Sequence, residues 1–271
     1  MTKRVVLIGH PVAHSLSGAM QQAAFDARGI DARYELWDRA PEAQATGAVN
    51  TITREGRRLV GHNTDVAGFT VALDKLVGRA KMPRQAVVLG AGGGARAVVH
   101  GLIRAGFQRV IVFNRHLHRA EGLVRHFGRG AAHMELKAMP WHESIIESEL
   151  ARTKVLVNAT SIGLNRDVSP VPAGILGHDL LVLDLIYNRT RLLRDAEAAG
   201  CVANDGETML LHQGAAAFTL WTGQAAPLDV MGEALTSARA GGLRSAEGEP
   251  AGDDTGPGPG PDDQPASSAA G

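Results

Sequence analysis

The run Gly90-Ala91-Gly92-Gly93-Gly94-Ala95 has the clearest chemical meaning in the chain. It fits G-x-G-x-x-G/A, with Ala95 in the third place. Gly90 permits a tight turn, Gly92 lets the backbone approach a pyrophosphate, and Ala95 allows close helix–strand contact. A phosphate bound there faces the free N–H groups and positive dipole end of the following helix. Without a strand before it and a helix after it, such a run is only a flexible loop. The next apolar run ends in Asn114 and Arg115, with Arg119 close behind. An acid at that place holds a ribose 2′-hydroxyl. Two guanidinium groups instead suit a 2′-phosphate, by bidentate bonds and by stacking on adenine. The residues therefore favour NADP over NAD, against the alternative that Arg119 is a solvated charge on a helix surface.

Other polar residues occupy suggestive places. Ser15 and Ser17 fall between a strand end and a helix start, where hydroxyls suit an anion. The plainer reading is that Ser17 only caps the helix. Asn63-Thr64-Asp65 on its own reads as a turn. Tyr187 follows an apolar strand, at the end where doubly wound sheets bind ligands. Gln213 lies in the apolar stripe of a late helix. It is either a satisfied buried amide or a group that reaches a cleft.

The elements that must position these residues are legible as alternating strands and helices. Val5-Val6-Leu7-Ile8 is a short apolar run closed by Gly9 and Pro11, hence a buried strand. Ser17 predicts a helix over 19–27 with Gly29 just beyond its end. Further strands are expected at 34–37, 86–89, 110–113, 155–157 and 180–185. Helices are expected at 96–104, at 120–126 and from Thr190 to Gly200. A last helix carries Met209, Gln213, Ala216, Ala217 and Leu220 on one stripe. Strand–helix alternation implies βαβ units and a mostly parallel sheet. The expected class is α/β: a doubly wound dinucleotide domain (Rossmann type, 69–208) beside a smaller α/β substrate domain (1–68), to which a C-terminal helix at 209–238 returns.

Composition narrows the function. The 271 residues can bury a substantial core, and 44% hydrophobic with 21% charged suits a globular protein. One cysteine, Cys201, excludes an internal disulfide framework, and no Cys/His cluster has zinc spacing, so no metal is expected. Twenty-eight basic residues balance 28 acidic ones, which argues against nucleic acid as the partner. No apolar run approaches the ~20 residues needed to cross a bilayer. The opening apolar run of four residues predicts no secretory leader, so a cytoplasmic monomer or homodimer is expected. Residues 241–271 hold eight Gly, five Pro and six acidic residues against one Arg. Such a segment buries too little to offset its ordering entropy, and reads as a disordered tail, either solvated or partner-binding.

Taken together, the motifs resemble the shikimate dehydrogenase family. The pieces are Gly9-His10-Pro11-Val12-Ala13-His14-Ser15-Leu16-Ser17, Gly47-Ala48-Val49-Asn50-Thr51, Asn63-Thr64-Asp65, the glycine loop, Asn114-Arg115, Asn158-Ala159-Thr160-Ser161-Ile162-Gly163, Asp184-Leu185-Ile186-Tyr187-Asn188, Gly206 to Gln213, and Leu220-Trp221-Thr222-Gly223. The resemblance implies NADP-dependent reduction of 3-dehydroshikimate to shikimate, a step towards the aromatic amino acids. It implies that Ser15 and Ser17 hold the substrate carboxylate and that Asn50 and Asp65 bond ring hydroxyls. Tyr187 and Gln213 complete the substrate site. Gly90 to Ala95, Asn114, Arg115, Arg119, Thr160 and Ser161 line the cofactor, and Gly206 approaches the nicotinamide.

Three departures qualify it. His116 replaces the family's Thr after Asn-Arg, and Thr208 replaces a small or turn-forming residue. The third is large. The family carries a Gly-x-Asn-Val-Thr-x-Pro-x-Lys segment before Gly-Ala-Val-Asn, and its Lys is the proton-transfer residue. Here Asp38 runs through only eight residues to Gly47, and the segment is absent. None of the five lysines (Lys3, Lys75, Lys81, Lys137, Lys154) lies in a comparable motif. The resemblance therefore implies an impaired enzyme with Asp65 as its remaining catalytic group. The alternatives are a non-catalytic NADP/shikimate-binding relative, an internally deleted copy, or a quinate-preferring relative. A smaller, weakly stable first domain is also expected.

Overall fold

The structure is a computed structural model that describes residues 3–9, 15–38, 48–55, 58–128 and 133–247. His10 to His14, the stretch 39–47 where a family segment is expected to be absent, and everything after residue 247 lie outside the described residues.

The central element is a six-stranded, wholly parallel sheet. Its strands are β5 (Gln85–Leu89), β6 (Arg109–Asn114), β7 (Glu135–Pro140), β8 (Val155–Asn158), β9 (Leu181–Asp184) and β10 (Val202–Asn204), in the order β10-β9-β8-β5-β6-β7. The chain starts at the middle, winds one way through β6 and β7, then returns to build β8, β9 and β10 on the other side. This is the doubly wound order, with its switch point between β5 and β8. Strands β5, β6, β8 and β9 are buried almost throughout because helices cover both faces. One face packs on α2 (Asp65–Val77), α3 (Gly93–Arg104) and α4 (Leu117–Gly128), through Phe69, Leu73, Val98, Leu102 and Leu123. The other packs on α5 (Glu143–Leu150) and α6 (Arg191–Ala198), through Ile146, Leu150 and Leu192.

The rest of the described chain holds two separate two-stranded sheets. β1 (Lys3–Gly9) pairs in parallel with β2 (Ala32–Asp38), and β3 (Thr51–Glu55) pairs antiparallel with β4 (Arg58–His62). No strand joins the two pairs among the described residues. Helix α1 (Ser17–Ala27) packs on α7 (Glu207–Thr222) and α8 (Leu228–Glu247) around Met20, Phe25, Phe218, Met231 and Leu235. Val49 and Ile52 beside the β3–β4 pair are 47% and 59% exposed.

Several sequence expectations need correction. Ser17 is not the cap of α1: Leu16 stands at that position, and the Ser15 Oγ accepts the Ser17 N–H at 3.3 Å. The expected C-terminal helix at 209–238 is two helices, because Gly223 adopts φ 71° and Pro227 precedes α8. Leu220 leaves the expected buried stripe, and Phe218 and Ala215 are buried instead. Helix α8 continues to Glu247, seven residues into the segment read as disordered, since adding residues to an existing helix is easy. Helix α2 has no counterpart among the expected elements, and Asn63-Thr64-Asp65 is its start rather than an isolated turn.

Candidate active site

Beyond the carboxyl ends of the strands lie two cavities. The first, of about 470 Å³, is framed by Gly90, Ala91 and Gly92 after β5, Asn114, Arg115, His116 and Arg119 after β6, and Thr160 and Ser161 after β8. Gly90 has φ +107°, and a Cβ there would stand 2.6 Å from the Ala159 carbonyl oxygen, so only glycine fits. A Cβ on Gly92 or Gly93 would meet nothing within 4 Å. The loop is therefore open towards the cavity, and α3 has no side-chain cap to occupy its N-terminal N–H groups. These features fit a dinucleotide pyrophosphate. Gly94 and Ala95 lie in the first turn of α3, with Ala95 fully buried. Asn114 does not point at the cavity alone: its Nδ2 donates to the His116 carbonyl at 2.8 Å and shapes the turn that presents Arg115. Trp141, after β7, also lines this cavity; the sequence reading missed it because β7 itself was missed.

The second cavity, of about 330 Å³, gathers Ser15, Ser17, Asn50, Asp65, Tyr187 and Gln213, all six expected substrate residues. Gly206 also lines this cavity rather than the first one. It stands at the start of α7, where a Cβ would collide with the Leu185 carbonyl. Gln21, Tyr34, Thr51 and Trp221 also line the cavity; Thr51 and Trp221 lie in quoted motifs without an expected role, and Gln21 and Tyr34 lie in none. No Lys, Arg or His lines this cavity among the described residues.

A polar network fixes the floor. Asn50 Nδ2 donates to Asp65 Oδ1 at 2.8 Å and to Thr64 Oγ1 at 3.0 Å. Asn50 Oδ1 accepts the Thr64 backbone N–H at 2.9 Å. Thr64 Oγ1 in turn donates to Gln213 Oε1 at 3.3 Å, which ties α7 to the start of α2. Burial raises the Asp65 carboxyl above its ordinary value, partly opposed by the Asn50 hydrogen bond. Burial also pushes the Tyr34 phenol up to about 12 and raises that of Tyr187, whose oxygen meets the Leu16 backbone N–H.

A buried pair lies behind both cavities. Asn158 Nδ2 donates to Asp184 Oδ1 at 3.0 Å, while Asn158 Oδ1 accepts the Thr160 hydroxyl at 2.7 Å. Asp184 also accepts the Ile186 N–H at 3.1 Å and the Thr190 hydroxyl at 2.7 Å. The pair thus holds Thr160 at one cavity and the turn bearing Leu185 and Tyr187 at the other. Burial pushes the Asp184 carboxyl up to about 6.

A parallel doubly wound sheet with an open glycine loop, beside a small polar cavity, defines the class: a nicotinamide-dinucleotide oxidoreductase of the Rossmann type. Comparison with known proteins makes it specific. Residues 73–165 match the family described as Shikimate / quinate 5-dehydrogenase, and residues 206–236 match the Shikimate 5'-dehydrogenase C-terminal domain. The shikimate dehydrogenase (NADP(+)) of Symbiobacterium thermophilum is 35% identical over 90% of this chain and 95% of its own length. A solved shikimate dehydrogenase in complex with NADP+ superposes with a TM-score of 0.77, at 32% identity, over 87% of this chain and 95% of the other. The Thermus thermophilus enzyme, solved with NADP(H) and shikimate, gives 0.73 and 34% over 88% and 100%. The chain belongs to the shikimate dehydrogenase family of oxidoreductases.

Proposed function

We propose that this chain binds NADP in the glycine-loop cavity and shikimate or 3-dehydroshikimate in the polar cavity, and interconverts them slowly because its proton-transfer step lacks a lysine. The observation that carries this reading is the convergence of Ser15, Ser17, Asn50, Asp65, Tyr187 and Gln213 on one cavity. Leu185 connects that cavity to the cofactor loop, its Cδ1 lying 3.2 Å from where a Cβ on Gly94 would stand.

NADP, when bound, supplies the hydride acceptor or donor. Arg115 and Arg119 would hold its 2′-phosphate, and the N–H groups at the start of α3 its pyrophosphate. The hydroxyls of Ser15 and Ser17, beside the first turn of α1, orient the substrate carboxylate. Asn50 and Asp65 engage the ring hydroxyls. One Asp65 oxygen is committed to Asn50, which leaves the other to hold or pass a proton. Its raised pKa brings that proton closer to the working range than an ordinary carboxyl would.

Two observations support the impairment. Lys75 donates to Thr208 at 3.1 Å, Lys137 pairs with Glu135 and Lys154 with Asp179, so none of these three reaches the cavity. The alignment with the Symbiobacterium relative runs over 286 positions but uses 90% of 271 residues, about 244, so about 42 positions have no counterpart here. Loss of a general acid costs about 10²–10⁴-fold in rate. The same absence of a cation favours one second reading, a chain that binds both ligands without turnover.

Titrating the chain against NADPH, with and without shikimate, tests the binding half. Saturable quenching of the protein's fluorescence that shikimate alters supports two formed pockets. No saturable NADPH binding by the folded protein would overturn them.

A further inference from the structure

A separate cavity of about 330 Å³ opens between the start of α2 and the α3–α4 pair. Helix α3 turns Arg96, His100 and Arg104 towards it from one face, at four-residue spacing, and α4 adds His126. Val66 and Phe127 form its apolar wall. No acidic residue lines it among the described residues. We propose that this cavity binds a phosphomonoester dianion, with the two arginines on the phosphate and the apolar wall against its organic group.

The charge pattern points this way. Arg96 and Arg104 stand two helical turns apart on one face of α3, and no carboxylate among the described residues lines the space between them. Arg109, Arg152, Arg189, Arg191, Arg194 and Arg239 each meet a carboxylate, whereas Arg28, Arg79 and Arg84, like Arg96 and Arg104, have no ion pair among the described residues. Arg96 is half-buried, yet neither it nor Arg104 has a side-chain hydrogen bond or ion pair among the described residues. Two fixed charges match a dianion, and planar guanidinium forks match phosphate oxygens. The histidine rings are held by Phe127, at centroid distances of 6.0 Å for His100 and 4.8 Å for His126. The space exceeds what a bare ion fills, which favours an ester. Its position also has a consequence: a ligand there would bridge the helix that carries Asp65 and the helix that opens on the glycine loop.

The test is a titration of the full chain with phenyl phosphate and, separately, with inorganic phosphate, followed by the imidazole resonances of His100 and His126. Saturating NADP⁺ and shikimate keep the two active-site cavities filled. The local readout separates this proposal from the functional reading, since it stands whether or not NADP⁺ binds. The expected result is a saturable shift of both rings, with phenyl phosphate bound several-fold more tightly than inorganic phosphate. Arg104→Gln should weaken binding about tenfold or more and leave the affinity for NADP⁺ unchanged. His126→Gln provides a second variant if Arg104→Gln folds poorly. No saturable shift, equal affinity for the two probes, or unchanged binding in folded variants would overturn the proposal.

Discussion

On the proposed reading, Asp65 is the group that carries the proton. Asn50 fixes one of its oxygens, burial raises its pKa, and no cation lines its cavity among the described residues. Asp65→Asn should therefore remove whatever turnover the chain has, by at least about 10²-fold, while NADPH binding stays unchanged; residual activity equal to wild type would exclude Asp65 as the proton carrier. At the other cavity, Arg119→Ala should weaken NADP⁺ by about ten- to a hundredfold and leave NAD⁺ unaffected, since a charged hydrogen bond contributes about 1.5–3 kcal/mol. Parallel fluorescence titrations with the two cofactors measure this. Residues with a motif around them were legible from sequence. Gln21 and Tyr34 were not, because their side chains reach the cavity only through the packing of α1 and β2; Trp221 lay in a motif, but that motif gave it no role. Trp141 was hidden for a related reason: β7 is only half-buried and lacks the apolar run of its neighbours.

At the scale of elements, the turn after β9 joins the two cavities, and Asp184 holds it. Its folded pKa of about 6 lies above that of an unfolded aspartate, so the folded state binds its proton more tightly. Its contribution to stability is therefore fully present below about pH 4 and is lost as pH rises through about 6. Denaturation of wild type and Asp184→Asn across pH 4 to 7 should show this fall in wild type only; parallel curves would contradict the assignment. Gly206→Ala should destabilise by about 1–3 kcal/mol, because its Cβ would meet the Leu185 carbonyl at the start of α7. The βαβ core was readable because β5, β6, β8 and β9 are continuous apolar runs buried on both faces. Helix α2 is hard to see in the sequence because Gly68, Thr70 and Val71 interrupt its apolar spacing with poor helix formers; tertiary packing against α3 and α7 overrides them.

At the scale of the whole molecule, the six-stranded sheet and the two small sheets differ in what supports them. The first is covered on both faces by helices. The others are two-stranded pairs with no strand between them among the described residues, and Val49 and Ile52 stand exposed beside one of them. Two-stranded sheets are marginal without further packing. Hydrogen exchange should accordingly be slow in β5, β6 and β8 and markedly faster in β1 to β4; equal protection would contradict this account of the missing segment. The short spacing between Asp38 and Gly47 was visible in the sequence, whereas the pairing of β1 with β2 and of β3 with β4 needed the structure. The most direct test of the central claim is shikimate-dependent NADP⁺ reduction by the purified chain, followed by NADPH absorbance on a sample shown to bind both ligands. The account predicts turnover about 10²–10⁴-fold below that of a relative that carries the lysine, down to a flat trace. Turnover equal to that relative's would show that proton transfer does not need the lysine, and would contradict it.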